Sequence, residues 1–84
     1  MKHFATPEFW KSFDKLPVSI QRAAKKNYEL LKENPSYASL HYKKIKEFRS
    51  VRVGLSYRAL GIESGSDIVW FWIGSHADYD KIIS

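Results

Sequence analysis

The chain has 84 residues, no cysteine and a formal charge of +5. That length supports one hydrophobic core and excludes two, so residues 1–84 are expected to form a single domain. Without cysteine there is no disulfide, thiolate metal site or cysteine nucleophile, which suits a reducing cytosol.

Three scattered histidines, His3, His41 and His76, do not suggest a metal site, and no cofactor is expected. Met1-Lys2-His3-Phe4 lacks the apolar segment of a signal peptide. The longest apolar run, Ile68 to Ile73, is far too short to span a bilayer. A soluble, cytoplasmic protein with no membrane partner is expected.

In chain order, Thr6-Pro7-Glu8 predicts a helix start: a threonine cap, a proline whose missing N–H is harmless there, and an acid at the positive end of the dipole. This helix should run to about Lys15, where Leu16-Pro17 interrupts it. A second helix is predicted from Pro17 to about Glu33. Its apolar stripe is Ile20, Ala23, Ala24, Tyr28 and Leu31, and Asn34-Pro35 ends it.

The remainder reads as strands. Residues 41–48 form a ragged first strand, Val51-Arg52-Val53 a short second one, and Tyr57 to Ile62 a third. Glu63-Ser64-Gly65-Ser66-Asp67 has hairpin-turn composition, and Ile68 to Ile73, apolar on both faces, should be the central strand. Alternation places Trp70 and Trp72 on one face and Val69, Phe71 and Ile73 on the other. One set meets the helices, while the other is either shielded or free to stack bases. From about Ala77 to Ile83 a terminal helical turn or short helix is expected, with Ser75 able to cap it. His3-Phe4-Ala5 is too short to show whether it adds an edge strand. The fold class is α+β: two N-terminal helices on one face of a curved three- to four-stranded antiparallel sheet, with a short C-terminal helix and the other face partly open.

Positive charge is concentrated between Lys43 and Arg58, where Lys43, Lys44, Lys46, Arg49, Arg52 and Arg58 meet one acid, Glu47. Such a run is either a solvated surface or the footprint of a polyanion.

Leu16-Pro17 before a long helix, Asn34-Pro35 and Ser39-Leu40 after it, and Arg52-x-Gly54-x-x-Tyr57-Arg58 carry a family likeness. An apolar strand and Gly74-Ser75-His76-Ala77-Asp78-Tyr79 complete it. Together these resemble toxins of the RelE/ParE superfamily, over nearly the whole chain and in the right order. The resemblance implies the toxin of a type II toxin–antitoxin pair, neutralised by a cognate antitoxin that covers its basic face. Operator DNA would be reached only through that antitoxin. RelE-like members enter the ribosome and cut mRNA; ParE-like members bind DNA gyrase and are not nucleases. A third reading is an inactive toxin that only binds its antitoxin.

For RNA cleavage the chemistry requires an activated 2′-hydroxyl, cationic stabilisation of the pentacoordinate transition state and a proton for the leaving 5′-oxygen, with no metal needed. The resemblance places His76 where some RelE-like nucleases hold a catalytic histidine, as general acid or base, with Tyr79 or Asp78 as its neighbour. It also matches Arg58 to an arginine that contacts the scissile phosphate, a task for which a guanidinium is well shaped. Arg52 alternates with Val51 and Val53, so it points to the open face beside Arg58 if those valines lie under the helices. Lys43, Lys44, Lys46 and Arg49 are candidates for sequence-independent RNA contacts. The leading expectation is a metal-independent, ribosome-dependent mRNA endonuclease; the alternative is a gyrase inhibitor.

Overall fold

Thr6 caps the first helix as predicted. Its Oγ1 accepts the Phe9 N–H at 3.2 Å, and with proline next the helix α1 runs Pro7–Asp14. In the computed structural model, which describes residues 2–84, the second helix α2 covers Val18–Glu33 with Pro17 as its cap. A 3-10 turn at Ala38–Leu40 then leads into the sheet, burying Leu40 completely.

The sheet has five strands rather than the three or four expected. They are β1 (His3–Ala5), β2 (Lys43–Ile45), β3 (Phe48–Val53), β4 (Tyr57–Ser64) and β5 (Asp67–Ser75), in spatial order β1-β5-β4-β3-β2. β1 runs parallel to β5, held by Ile68 N–H on the Lys2 carbonyl at 3.0 Å and Thr6 N–H on the Trp70 carbonyl at 2.9 Å. The other pairs are antiparallel. Only tertiary pairing reveals β1, because three residues carry no period.

The strand expected over 41–48 divides. The chain turns at Lys46-Glu47, with Lys46 at φ 54°, so Ile45 faces Phe48 and β3 begins there. A lysine in the left-handed region gives no compositional signal of a turn.

β5 differs from simple alternation in one place. Leu60 faces Trp72 and Gly61 faces Trp70, leaving Phe71 as an extra, unpaired residue at a bulge. Trp70 and Trp72 therefore lie on opposite faces, and Ile73 returns to the face of Trp70. That face packs under α1 and α2: Val51, Val53, Ala59, Ile68, Trp70 and Ile73 meet Phe13, Ala24, Leu31 and Leu40. Of the stripe predicted on α2, Ala24 and Leu31 are buried, Ile20 and Ala23 pack partly, and Tyr28 stays exposed.

A third helix, α3 (His76–Ile83), is a full eight-residue element capped by Ser75 Oγ, which accepts the Asp78 N–H at 3.2 Å. It packs against β4 and β5 on the face opposite α1 and α2, so the face expected to be open is half covered. Among the described residues, no helix is long and apolar enough to cross a membrane.

Two predictions follow from how Trp70 is seated. A Cβ on Gly61 would lie 2.8 Å from Trp70 Cε3 and 2.9 Å from Ile68 Cγ2, so Gly61→Ala should cost about 1–3 kcal/mol in urea unfolding. The indole N–H of Trp70 donates to His3 Nδ1 at 3.1 Å, and burial lowers the His3 pKa below its ordinary 6.5. The folded state thus favours the neutral ring, while the unfolded chain takes up a proton near pH 6.5. This contribution to stability is complete above pH 6.5 and is lost as pH falls through the folded value. The urea midpoint should drop more between pH 7.5 and pH 5.5 in the native chain than in His3→Gln, which keeps an acceptor but does not titrate.

Candidate nucleic-acid interface

The face of the sheet away from α1 and α2 is fixed by register. Arg52 on β3 is the direct partner of Arg58 on β4, and Arg58 is the partner of Gly74 on β5. Val51 and Val53 lie in the helix-side core, so both arginines project to the other face. Directly opposed like charges destabilise a sheet unless a counter-charge intervenes. Among the described residues, neither arginine makes a salt bridge to a carboxylate. Both side chains are partly buried on their strands.

Arg58 is held from two sides. One Nη donates to the Tyr57 carbonyl at 2.9 Å, and the guanidinium carbon lies 6.0 Å from the centre of the Tyr79 ring. The ring of His76 is 5.8 Å from the same Tyr79 ring. Tyr79, only 3% exposed, is therefore a common neighbour of the arginine and the histidine. The His76 N–H donates to the Ser56 carbonyl at 2.7 Å, tying the start of α3 to the β3–β4 turn that carries both arginines.

His76 Nδ1 lies 3.1 Å from Asp80 Oδ2, one helical turn on, and both side chains remain substantially exposed. The carboxylate neighbour of His76 is thus Asp80, not Asp78. Asp78 is exposed in the first turn of α3 and lines a shallow cleft with Ser12, Lys15 and Tyr57. The spacing His-x-x-x-Asp on a helix was the available signal for Asp80.

Tyr79 also differs from the role expected of it. Its hydroxyl is buried without a hydrogen-bond partner among the described residues, as is Ser50 Oγ on the same face, so it is shut off from a substrate. The basic residues divide as well. Lys43 pairs in register with Ser50 and shares the face of Arg52 and Arg58, and Lys46 stands exposed at the β2–β3 turn. Lys44 and Arg49 are register partners on the opposite face, where Arg49 is ion-paired with Glu63. They do not join the arginine pair.

A cavity of about 510 Å³ opens between α1 and α2 and is lined chiefly by Phe9, Trp10, Phe13, Tyr28 and Leu31. It contains none of these site residues and lies on the other side of the sheet. Among the described residues, no cluster of three or more His, Asp or Glu could hold a metal ion.

This architecture occurs in solved structures. A chain of the RelB–RelE antitoxin–toxin complex from Methanococcus jannaschii superposes with a TM-score of 0.75 at 21% identity, covering 96% of this chain and 99% of that one. The YoeB/ParE toxin from Agrobacterium tumefaciens gives 0.70 at 16% identity, covering 90% and 99%. YafQ from Escherichia coli gives 0.65 at 17% identity, covering 92% and 94%. No curated protein matches the sequence. The fold is the one that these RelE- and ParE-type toxins share. The chain belongs to the ParE-like toxin domain family, whose model matches residues 18–81.

Because the Tyr79 hydroxyl is buried and unpaired, Tyr79→Phe should leave stability unchanged or raise it by up to about 1 kcal/mol. It should leave toxicity on induction intact, whereas Tyr79→Ala, which removes the support under Arg58 and His76, should abolish it. Unfolding curves and growth after induction check both.

Proposed function

We propose that this toxin is a metal-independent mRNA endonuclease that acts on the translating ribosome in the cytoplasm, and that a cognate antitoxin neutralises it. The observation that carries the reading is the Tyr79 ring, flanked by Arg58 at 6.0 Å and by His76 at 5.8 Å, with Arg52 opposite Arg58 in register. Two fork-shaped cations beside one imidazole meet what cleavage of an RNA linkage requires.

In the proposed reaction the 2′-oxygen attacks its own phosphorus while its proton passes to a base, and the bond from phosphorus to the 5′-oxygen breaks as that oxygen gains a proton. The products are a 2′,3′-cyclic phosphate and a 5′-hydroxyl. His76, whose Nδ1 lies 3.1 Å from Asp80 Oδ2, offers the Nε2 lone pair to the 2′-hydroxyl; once protonated, it offers Nε2–H to the leaving oxygen. Arg52 and Arg58 hold the phosphate and the charge that develops on it. Asp80 positions the ring and touches no reacting atom. Lys43 and Lys46 extend the field along RNA, while operator DNA is reached through the antitoxin alone.

The test is mapping of transcript ends after induction. Cuts within codons should appear only in translated messages. They should fall by about 10²–10⁴-fold in His76→Ala, with circular dichroism unchanged. Arg58→Ala should abolish them as well. Asp80→Asn should slow cutting by a smaller factor without weakening ribosome association, and Asp80→Glu should restore part of the rate.

The family match to a ParE-like domain favours one second reading, a gyrase inhibitor that uses the same arginines to contact protein. Continued translation with DNA breaks and an SOS response after induction would establish it in place of the nuclease.

A further inference from the structure

α3 covers only the end of its sheet face that carries Tyr79, and what it leaves bare is a row of apolar side chains. Register places Phe4, Val69, Ile62, Phe48 and Ile45 side by side on β1, β5, β4, β3 and β2. At the usual strand spacing the row is about 19 Å long. Phe4 is 51% exposed and Ile62 43%, while the other three are partly buried. The bulge adds Phe71, whose ring meets that of Phe48 at 5.7 Å with a tilt of 52°. Trp72 does not shield them, because its indole is folded back over Gly74, where a Cβ would come within 2.5 Å.

Along β3 the apolar row lies four residues from Arg52, or roughly 13 Å. Lys43 shares the face, and Lys46 stands at the turn beside Phe48. Of the acids nearby, Glu47 is exposed at the turn between Lys46 and Phe48, Asp67 accepts the Lys2 N–H, and Asp80 lies 3.1 Å from His76, so the basic side chains outnumber the carboxylates free to face a ligand. The occupant must therefore be anionic along one edge and flat and apolar along the other. A second copy of this chain would oppose arginine to arginine. Single-stranded RNA has the required combination, since every base has a stacking face whatever the sequence.

We propose that Phe48 and Phe71 form a base-stacking subsite for single-stranded RNA, next to the phosphate held by Arg52 and Arg58. This rests on the RNA reading above and adds to it the contact that orders a nucleotide beside the cleaved linkage. Two rings at 52° offer one plane for a base to lie on and one edge for it to meet.

Fluorescence anisotropy at low salt tests this in a His76→Ala background, which leaves the RNA uncut. The probes are a labelled hexaribonucleotide of adenosines and the same backbone with abasic riboses. The adenosine oligomer should bind about tenfold tighter or more. Phe48→Leu and Phe71→Leu, which keep the apolar bulk but remove the ring, should reduce that advantage to about threefold or less and leave the abasic affinity unchanged. Arg52→Gln with Arg58→Gln should weaken both probes alike. Equal affinity for the two oligomers, or an advantage that survives both leucine variants, overturns the stacking subsite and assigns the row to a protein partner. If neither oligomer binds, the phosphate grip fails, and the RNA reading fails with it.

Discussion

Much of the structure depends on one extra residue in β5. A strand with a strict period of two would send Trp70 and Trp72 to the same face, and one indole pair would have to fit either under the helices or outside them. The bulge at Phe71 separates them: Trp70 fills the core against Gly61, and Trp72 folds over Gly74 on the far side. Beyond the bulge the parity is reset, so Ile73 enters the core and the chain reaches Ser75 with the orientation that lets α3 begin on the site face. Bulges tend to occur where a fold must redirect a side chain, and here the redirected element carries His76.

With that geometry in place, the site is a small set of mutual constraints. The opposed arginines are unfavourable neighbours without an anion. Tyr79 supports Arg58 and His76 on one buried ring, and the Ser56 carbonyl fixes where α3 starts. Apart from Ser56 in the β3–β4 turn, these contacts lie on strands and a helix.

Local chemistry made α1 and α2 readable, since Thr6-Pro7 and the α2 stripe act within a few residues. The direction of Arg52 was equally accessible, because Val51 and Val53 identify the buried side. The features that escaped are settled by partners distant in sequence or by unusual backbone. β1 exists through β5, the Lys46 turn has no glycine or asparagine, and an all-apolar run conceals where a bulge falls. Asp80 was overshadowed by the more conspicuous Asp78, although only Asp80 lies one turn from His76. Burial of the Tyr79 hydroxyl depends on how α3 docks, which residue type alone does not specify.

The parallel pairing of β1 joins the two strands most distant in the chain. Lys2 N–H reaches Asp67 across 65 positions of sequence, and the Trp70 indole reaches His3 across 67. Loops of that size close late, after the nearest-neighbour hairpins have formed. The β1 pairing thus closes the longest loop in the sheet, whereas β2 to β5 are joined by hairpins between neighbours in sequence. Without a formed β5, residues 3–5 have no strand to pair with, so this edge of the sheet exists only when the hairpin beside it does.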